Sequence, residues 1–307
     1  MNPKQLTHPS ISFLLPAFNN DCSSLVEALC RQADQLVADS GGCFDYEVIV
    51  GDDCSPLPQY VEANRKACAH PHCRFYRHET NVRLARNRNT LARLASKDFV
   101  VFIDSDLGLG SDRFVERYAM YDGPDVVSGG IRIEGDPRTM RSNLRYVYAK
   151  AGEEAHRAVH RQRNPYKDFN AANLFIRREL ILQYPFDERI QRYGYEDVLF
   201  GRELQRDSVS VGYIDNEVTF HTFETNESFV NKTDQSLLTL YEFRDDLRGY
   251  SRIQTMAERL DRMHLLPFVQ AAFRIVGPLL RRNILGRHPE LLAYNLYRLG
   301  FYASLME

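Results

Sequence analysis

The 307-residue sequence carries no excess of either charge, since 39 basic against 41 acidic side chains leave a net charge of −2. No global field therefore draws the chain to nucleic acid. Its six cysteines lack the spacing of a disulfide framework, and several lie beside predicted strands or inside predicted helices, so a reducing compartment is expected. No hydrophobic run reaches the length of a bilayer span. Residues Met1 to His8 are polar, and the apolar stretch that follows is too short for the core of a signal peptide. A cytoplasmic setting is expected, and the sequons at Asn226 and Asn231 are read as chance. Cys68, His70, His72, Cys73 and His78 crowd together, but their spacing matches no closed structural zinc site. What remains is the composition of a soluble globular protein, 44% hydrophobic and 26% charged, long enough for one large domain or two smaller ones.

The strongest local signal is Phe102-Ile103-Asp104-Ser105-Asp106, where an apolar run stops on two carboxylates one residue apart. Val100 to Ile103 reads as a short strand buried on both faces, as central parallel strands are. Two acids at its end are costly unless something neutralises them. A local turn is the plain explanation. A divalent cation with a phosphate on its far side is the chemical one.

The surrounding chain alternates strand and helix. Strands are predicted at Ile11–Leu15, Tyr46–Val50, Cys73–Tyr76 and Val100–Ile103. Between them come helical patterns carrying Leu25, Leu29 and Leu36, then residues Gln59 to Ala69, then Leu84, Leu91 and Leu94. This is the pattern of a parallel sheet with helices on its faces. Such a sheet would bring Asp52-Asp53 and Asp104-Ser105-Asp106 to the same edge, where ligands bind in open α/β folds. Arg83, Arg86 and Arg88 enter from that side. Acids for a metal and arginines for phosphate suggest a nucleotide site.

Motif order adds a resemblance. Leu15-Pro16-Ala17-Phe18-Asn19, Gly51-Asp52-Asp53-Cys54-Ser55, Ala85-Arg86-Asn87 and Asp104-Ser105-Asp106 are similar to the successive motifs of family 2 glycosyltransferases. In the second half, Asn170-Ala171-Ala172-Asn173, Arg177-Arg178, Phe186-Asp187-Glu188 and Gly194-Tyr195-Glu196-Asp197 resemble the acceptor side of the same family. Cys54 stands where the family usually has Gly, and Arg83 and Arg88 where small residues are common. The resemblance covers roughly residues Ser10 to Phe223. It implies an α/β fold of GT-A type: a Rossmann-like mixed sheet flanked by helices, here with a helical C-terminal extension. The implied division is residues 1–235 for the catalytic domain (donor half 10–128, acceptor half 129–235) and 236–307 for the extension.

That family moves a sugar from a nucleoside diphosphate to an acceptor hydroxyl, with inversion. The resemblance implies Mn²⁺ or Mg²⁺ on Asp104 and Asp106, with Asp104 shared between metal and donor ribose and His221 as a distant third ligand. Pro16, Phe18, Asn19 and Asp53 would form the donor pocket. In it, Phe18 packs on a pyrimidine and Asp53 accepts the ring N–H, which favours uridine; a core Phe and a capping Asp are the plain readings. Arg83 and Arg86 would face the diphosphate, or be solvated first-turn residues. Asp197 is the candidate general base, although an acid in a first helical turn is also what the helix dipole favours. Gly194, Tyr195 and Glu196 would line the acceptor. The expected partners are a UDP-sugar and a saccharide or glycolipid acceptor in surface polysaccharide synthesis, with hexosyl or N-acetylhexosaminyl transfer. A homo-oligomer is left open.

Two stretches lie outside the motifs. Arg138 to Arg163 reads as a charged helical segment, a solvated helix or a lid. Leu265 to Ile284 is the most apolar part, interrupted by Arg274, Gly277-Pro278 and Arg281-Arg282. It would either lie on an anionic membrane or cap the catalytic domain or a second subunit. Rival functions stay in view. A haloacid-dehalogenase-like phosphatase also places Asp-x-Asp after a strand, but it wants Thr or Val where Gly108 stands. A nucleotidyltransferase would want a Gly-rich loop after the first strand, and a non-catalytic carbohydrate binder would not need Asp104, Asp106, Asp197 and His221 together.

Overall fold

The computed structural model describes residues 6–153, 157–167 and 169–306. The first half alternates strand and helix: β1 (Ser10–Ala17), α1 (Ser23–Asp39), β2 (Asp45–Asp52), α2 (Pro58–Ala67), β3 (Cys73–Arg77), α3 (Leu84–Leu94) and β4 (Phe99–Ile103). The chain continues through β5 (Gly108–Leu109), α4 (Phe114–Ala119), β6 (Val126–Ser128), β7 (Ile131–Ile133), α5 (Pro137–Met140), α6 (Leu144–Gly152) and α7 (Ala158–Arg161). It then forms β8 (Asn173–Arg177), α8 (Arg178–Gln183), α9 (Glu196–Arg206), β9 (Val211–Tyr213) and β10 (Val218–Phe220). The last stretch is helical: α10 (Asn226–Glu242), α11 (Arg252–Arg262), α12 (Leu266–Ile284) and α13 (Leu291–Ser304).

Seven strands form one sheet in the order β3-β2-β1-β4-β8-β6-β9. β1 pairs in parallel with β2 and β4, while β8 runs antiparallel to both of its neighbours. The expected mixed, Rossmann-like sheet is what forms. All five side chains of β4 are buried, and each contributes about 1.5–3 kcal/mol relative to exposure. The strand order reverses between β1 and β4, because β2 and β3 build outward on one side before the chain crosses to the other. A crevice opens at such a switch point, outside the carboxyl ends of the strands. Those ends carry Phe18 and Asn19 after β1 and Asp104 after β4.

The chain divides into two compact units. The first comprises residues 1–132, 155–188 and 200–222, and the second 133–154, 189–199 and 223–307. The expected boundary at residue 236 falls inside α10, and the unit holding the C-terminal helices also takes two earlier segments. The reason is local: Thr225 caps α10, its hydroxyl accepting from the Ser228 amide. Capping stops the helix from starting later, and apolar periodicity alone does not show a polar first turn.

In the second unit, Leu237, Leu240, Leu247 and Tyr302 form one buried cluster, and Leu144, Phe229, Tyr294 and Tyr297 another. The segment expected as one charged helix from Arg138 to Arg163 is broken. α6 is capped by the Asn143 side chain and buries Leu144 and Tyr146, so it is not a solvated helix. Residues 154–156, within that expected segment, lie outside the described residues. Gly277-Pro278 does not interrupt α12, which runs through it. Phe273 fills the space left by two glycines there, since a Cβ would stand 3.1 Å from its ring at Gly277 and 2.2 Å at Gly300 of α13.

Candidate active site

The edge where β1, β2 and β4 end is built from polar side chains turned inward. After β1, the chain turns through Asn19 at φ 55°, a conformation that Asn tolerates better than other non-glycine residues. The Asn19 amide donates to Ser55 Oγ at 2.7 Å. Its side-chain Oδ1 is buried without a hydrogen-bond partner, so this turn keeps an acceptor in reserve. Pro16 is buried in β1, and Phe18 is 52% exposed. Phe18 is therefore not the core residue of the plain reading. An aromatic face open to solvent at a crevice is available for stacking.

Asp53 has a different occupation. It is 4% exposed, and its two oxygens accept from the backbone amides of Val82 at 2.6 Å and Arg83 at 3.0 Å. Both amides precede the first turn of α3, so Asp53 braces the loop before the helix. These bonds hold Arg83, the residue before α3, at φ 73° and ψ 165°. That region is almost confined to glycine and costs on the order of 1–3 kcal/mol for other residues. Cys54 is likewise at φ 59°. Two of the three positions where the sequence departs from small family residues, Cys54 and Arg83, are therefore positions where glycine would be unstrained. Arg83 and Arg86 are both exposed, and Arg86 lies 3.7 Å from Glu188.

Behind this loop α3 packs closely on β2. A Cβ on Gly51 would stand 2.6 Å from Asn87 Oδ1, so only glycine fits. Asn87 donates to the Gly51 carbonyl and bonds His78. His78 thus belongs to the frame of the site. The other members of its sequence cluster lie elsewhere: His70 bonds Asp34, His72 stacks on Tyr46, and Cys68 and Cys73 face each other at 2.7 Å.

Arg88 is the residue that sequence reasoning underused. It is 1% exposed, its Nη2 donates to Asp104 Oδ1 at 2.7 Å, and its guanidinium lies over the Phe186 ring at 5.2 Å. One of the two acids at the end of β4 is thus neutralised by the protein itself. Its helical position, two residues beyond Arg86 and on the apolar side of α3, was the available signal. Asn20 was missed as well. Its side chain donates to the Ser105 carbonyl and accepts from the Ser105 hydroxyl, tying the turn after β1 to the loop after β4.

Asp106 is exposed. β5, just beyond it, pairs antiparallel with β10, Thr219 opposite Gly108. Carried two residues further, that register sets His221 opposite Asp106. A Cβ on Gly108 would lie 3.7 Å from His221 Nδ1, which locates the imidazole over this loop. Among the described residues, no group of three or more His, Cys, Asp or Glu is arranged to hold a metal ion. One hard oxygen and one imidazole, with Asp104 already paired, do not make a closed protein cage. They fit a cation that completes its shell from phosphate oxygens and water, as Mg²⁺ and Mn²⁺ do on nucleotides.

Gly194, Tyr195, Glu196 and Asp197 belong to the second unit. Gly194 has φ +92°, and a Cβ there would meet the Ser236 side chain at 2.8 Å. Tyr195 follows at φ 69°, and its ring packs against the Leu237 and Leu240 cluster. Burial pushes its hydroxyl pKa up, partly offset by a hydrogen bond with Ser251 and by Arg298. Glu196 is buried and Asp197 half-buried in the first turn of α9. Tyr195 therefore presents its ring to this unit's core, while the two acids follow at the helix start. The structure gathers Pro16, Phe18, Asn19, Asp53, Arg83, Arg86, Asp104, Asp106 and His221 within the first unit.

Comparison with known proteins gives the family and the fold. A sequence model described as Glycosyl transferase family 2 matches residues 12–184. No curated protein matches the chain. Among solved structures, the mannosyltransferase PcManGT from Pyrobaculum calidifontis, in complex with GDP-Man and Mn²⁺, is 15% identical with a TM-score of 0.58. The match covers 99% of this chain and 90% of that one. Glucosyl-3-phosphoglycerate synthase from Mycobacterium tuberculosis, with Mn²⁺, UDP and glucosyl-3-phosphoglycerate, is 21% identical with a TM-score of 0.48, over 76% of this chain and 79% of that one. TarS of S. aureus is 18% identical with a TM-score of 0.47, covering 95% of this chain. The chain spans 55% of the length of TarS. At 15% identity and a TM-score of 0.58, the likeness to PcManGT is one of fold.

Proposed function

The chain belongs to glycosyl transferase family 2 and is a glycosyltransferase of GT-A fold, and from that premise we propose an inverting, cation-dependent sugar transfer. The donor is a nucleoside diphosphate sugar, uridine first. The acceptor is a hydroxyl of a saccharide or glycolipid, in the building of a surface polysaccharide. The transferred group is a hexosyl or N-acetylhexosaminyl unit. The observation that carries the reading is the edge at the switch point between β1 and β4, where Asp104, Asp106 and His221 meet the strand ends that bear Phe18 and Asn19.

Asp106 and His221 would hold Mn²⁺ or Mg²⁺. When bound, such a cation supplies charge neutralisation for the departing diphosphate. The chain's own groups do the rest. Phe18 offers its exposed ring to the base. Arg83 and Arg86, both exposed, bring positive charge to phosphate oxygens. Asp53 acts one step removed, holding the Arg83 amide and so the side chain's point of departure. Asp104, paired with Arg88, keeps the loop in place and presents its second oxygen to the donor ribose. Asp197 takes the proton from the acceptor hydroxyl as that oxygen attacks the anomeric carbon, with Gly194, Tyr195 and Glu196 shaping the acceptor's approach. A single base on the acceptor side means direct displacement and inversion.

The test is a panel of uridine and guanosine diphosphate sugars with Mn²⁺, native protein against Asp197→Asn. The variant should bind donor normally and lose transfer by about 10²-fold or more. Transfer at the native rate removes Asp197 from the mechanism. Asp106→Ala should lose Mn²⁺-dependent donor binding by calorimetry, a readout independent of turnover. Unchanged binding refutes the metal assignment.

A further inference from the structure

α12 buries one face and leaves the opposite one apolar. Leu266, Gly277 and Ile284 are buried, and Gln270 donates to the Ala303 carbonyl of α13, so that side is packed. On the other side Phe268 is 71% exposed, Ile275 75% and Leu279 64%. These three recur at i, i+7 and i+11, which places them on one stripe of a 3.6-residue helix. Leu265 and Val276 border it on one side and are exposed too. A helix that meets only water carries polar residues on its outer face. This outer face therefore has a partner.

The charges identify its chemistry. From residue 262 to 289 the charged side chains are Arg262, Arg274, Arg281, Arg282 and Arg287, with no Asp, Glu or Lys among them. Arg281 is engaged with Asp234 and Tyr297 inside the unit. Arg262, Arg274, Arg282 and Arg287 are exposed. By helical spacing Arg274 and Arg282 fall on the same flank of the stripe. An apolar stripe edged only by cations is complementary to a surface that is apolar inside and anionic at its rim. A second copy of this face would set arginine against arginine. No single helix among the described residues is long and apolar enough to cross a membrane, while α11 and α12 reach that length and composition only together, with a 119° bend between them. The arginines spaced along α12 suit an interfacial placement better than a span.

We infer that α12 docks flat on an anionic phospholipid surface. Phe268, Ile275 and Leu279 enter the acyl boundary, while Arg282 and Arg287 rest on lipid phosphates. The long arginine side chains can reach up to the headgroups while their stems cover apolar surface. The inference concerns a surface apart from the proposed donor and acceptor residues and stands whether or not those roles hold.

The experiment is co-sedimentation of the full chain with vesicles rich in phosphatidylglycerol and with vesicles of phosphatidylcholine alone. Binding should favour the anionic vesicles and weaken as salt rises. Two variants separate the two contributions, with circular dichroism confirming that each is folded. Phe268→Ser/Ile275→Ser/Leu279→Ser removes the apolar insertion, and Arg282→Gln/Arg287→Gln removes cations worth about fivefold each near such a surface. Each variant should bind anionic vesicles at least about tenfold more weakly than native protein. Equal binding to both vesicle types, no binding to either, or unchanged binding by both variants overturns the inference. A stable dimer in solution that the apolar variant dissociates also overturns it, because a second copy then covers the stripe.

Discussion

At the carboxyl ends of β1, β2 and β4, polar side chains go inside. Asp52, Asp53, Asn87 and Arg88 are all buried there, held by backbone amides, the Gly51 carbonyl and, for Arg88, the Asp104 carboxylate. Along α12 the reverse holds, and large apolar side chains face out. Folded proteins tolerate single exposed apolar residues without consequence, whereas a buried polar cluster or a continuous apolar stripe is informative. The two regions depart from the ordinary pattern in opposite directions. One holds a rigid polar frame against burial, with Phe18, Arg83 and Asp106 exposed at its surface. The other leaves a face without a partner inside its own unit. The first should be sensitive to mutation in stability, the second indifferent.

The largest expected effect comes from the two acids after β4. Asp104→Asn withdraws the charge facing a fully buried Arg88, and should destabilise the fold by about 3 kcal/mol in urea unfolding. Asp106→Asn, at an exposed position, should stay within about 0.5 kcal/mol of native protein. Equal costs at the two positions would break the distinction between a framing acid and an exposed one.

Glu47 tests the same principle at the opposite edge of the sheet. It is buried and accepts from the Ser96 amide and hydroxyl, the Ser12 hydroxyl and Arg74. Burial pushes its pKa up, but the Ser96 and Ser12 hydrogen bonds and Arg74 together outweigh it, so the folded-state pKa lies below the ordinary glutamate value. A depressed carboxylate contributes stability that is fully present above its unfolded pKa, about 4.3. That contribution is lost as pH falls through the folded value. Glu47→Gln should therefore cost about 1–3 kcal/mol at neutral pH. The gap between variant and native protein should narrow in acid below about pH 4. A pH-independent difference would mean the carboxylate's charge is not what matters.

Arg83 sharpens the comparison from the other direction. Its backbone sits where glycine is nearly the only unstrained residue, so Arg83→Gly should stabilise the protein by about 1 kcal/mol. The same change should weaken donor binding, the trade expected when strain is kept for function. Stabilisation without loss of binding would remove Arg83 from the donor site. The smallest effect is expected on α12, where Ile275→Ser should shift the unfolding midpoint hardly at all, within about 0.5 kcal/mol. A large loss there would show that the stripe is held inside the fold after all.

Much of this was legible in the chain itself. The four strands of the first half lie where alternation of apolar runs and helical patterns put them, to within a few residues. The acids after β2 and β4 reach one edge because parallel pairing leaves no alternative. Other features escaped for physical reasons. Arg88 reads as one more cation in a basic segment, yet tertiary packing buries it and gives it Asp104. Asp53 reads as a ligand-facing acid, yet its oxygens are taken by amides that lie 29 and 30 residues further along. α10 begins ten residues before the expected boundary, because Thr225 caps it and its first turns bury Phe229 and Val230.

Sequence alone determined the family, the order of the motifs and the class of sheet, since these depend on local periodicity and on residues read in order. It also determined that cations and apolar residues share the stretch from 262 to 289. Only the tertiary structure decided which members of each group are available. Exposure is a property of what packs against a side chain, and those neighbours come from distant parts of the chain. So it was the fold that buried Arg88 against Asp104 and placed Asp106 at the surface. It brought His221 over the loop that Asp106 occupies, and it turned Phe268, Ile275 and Leu279 away from their own core.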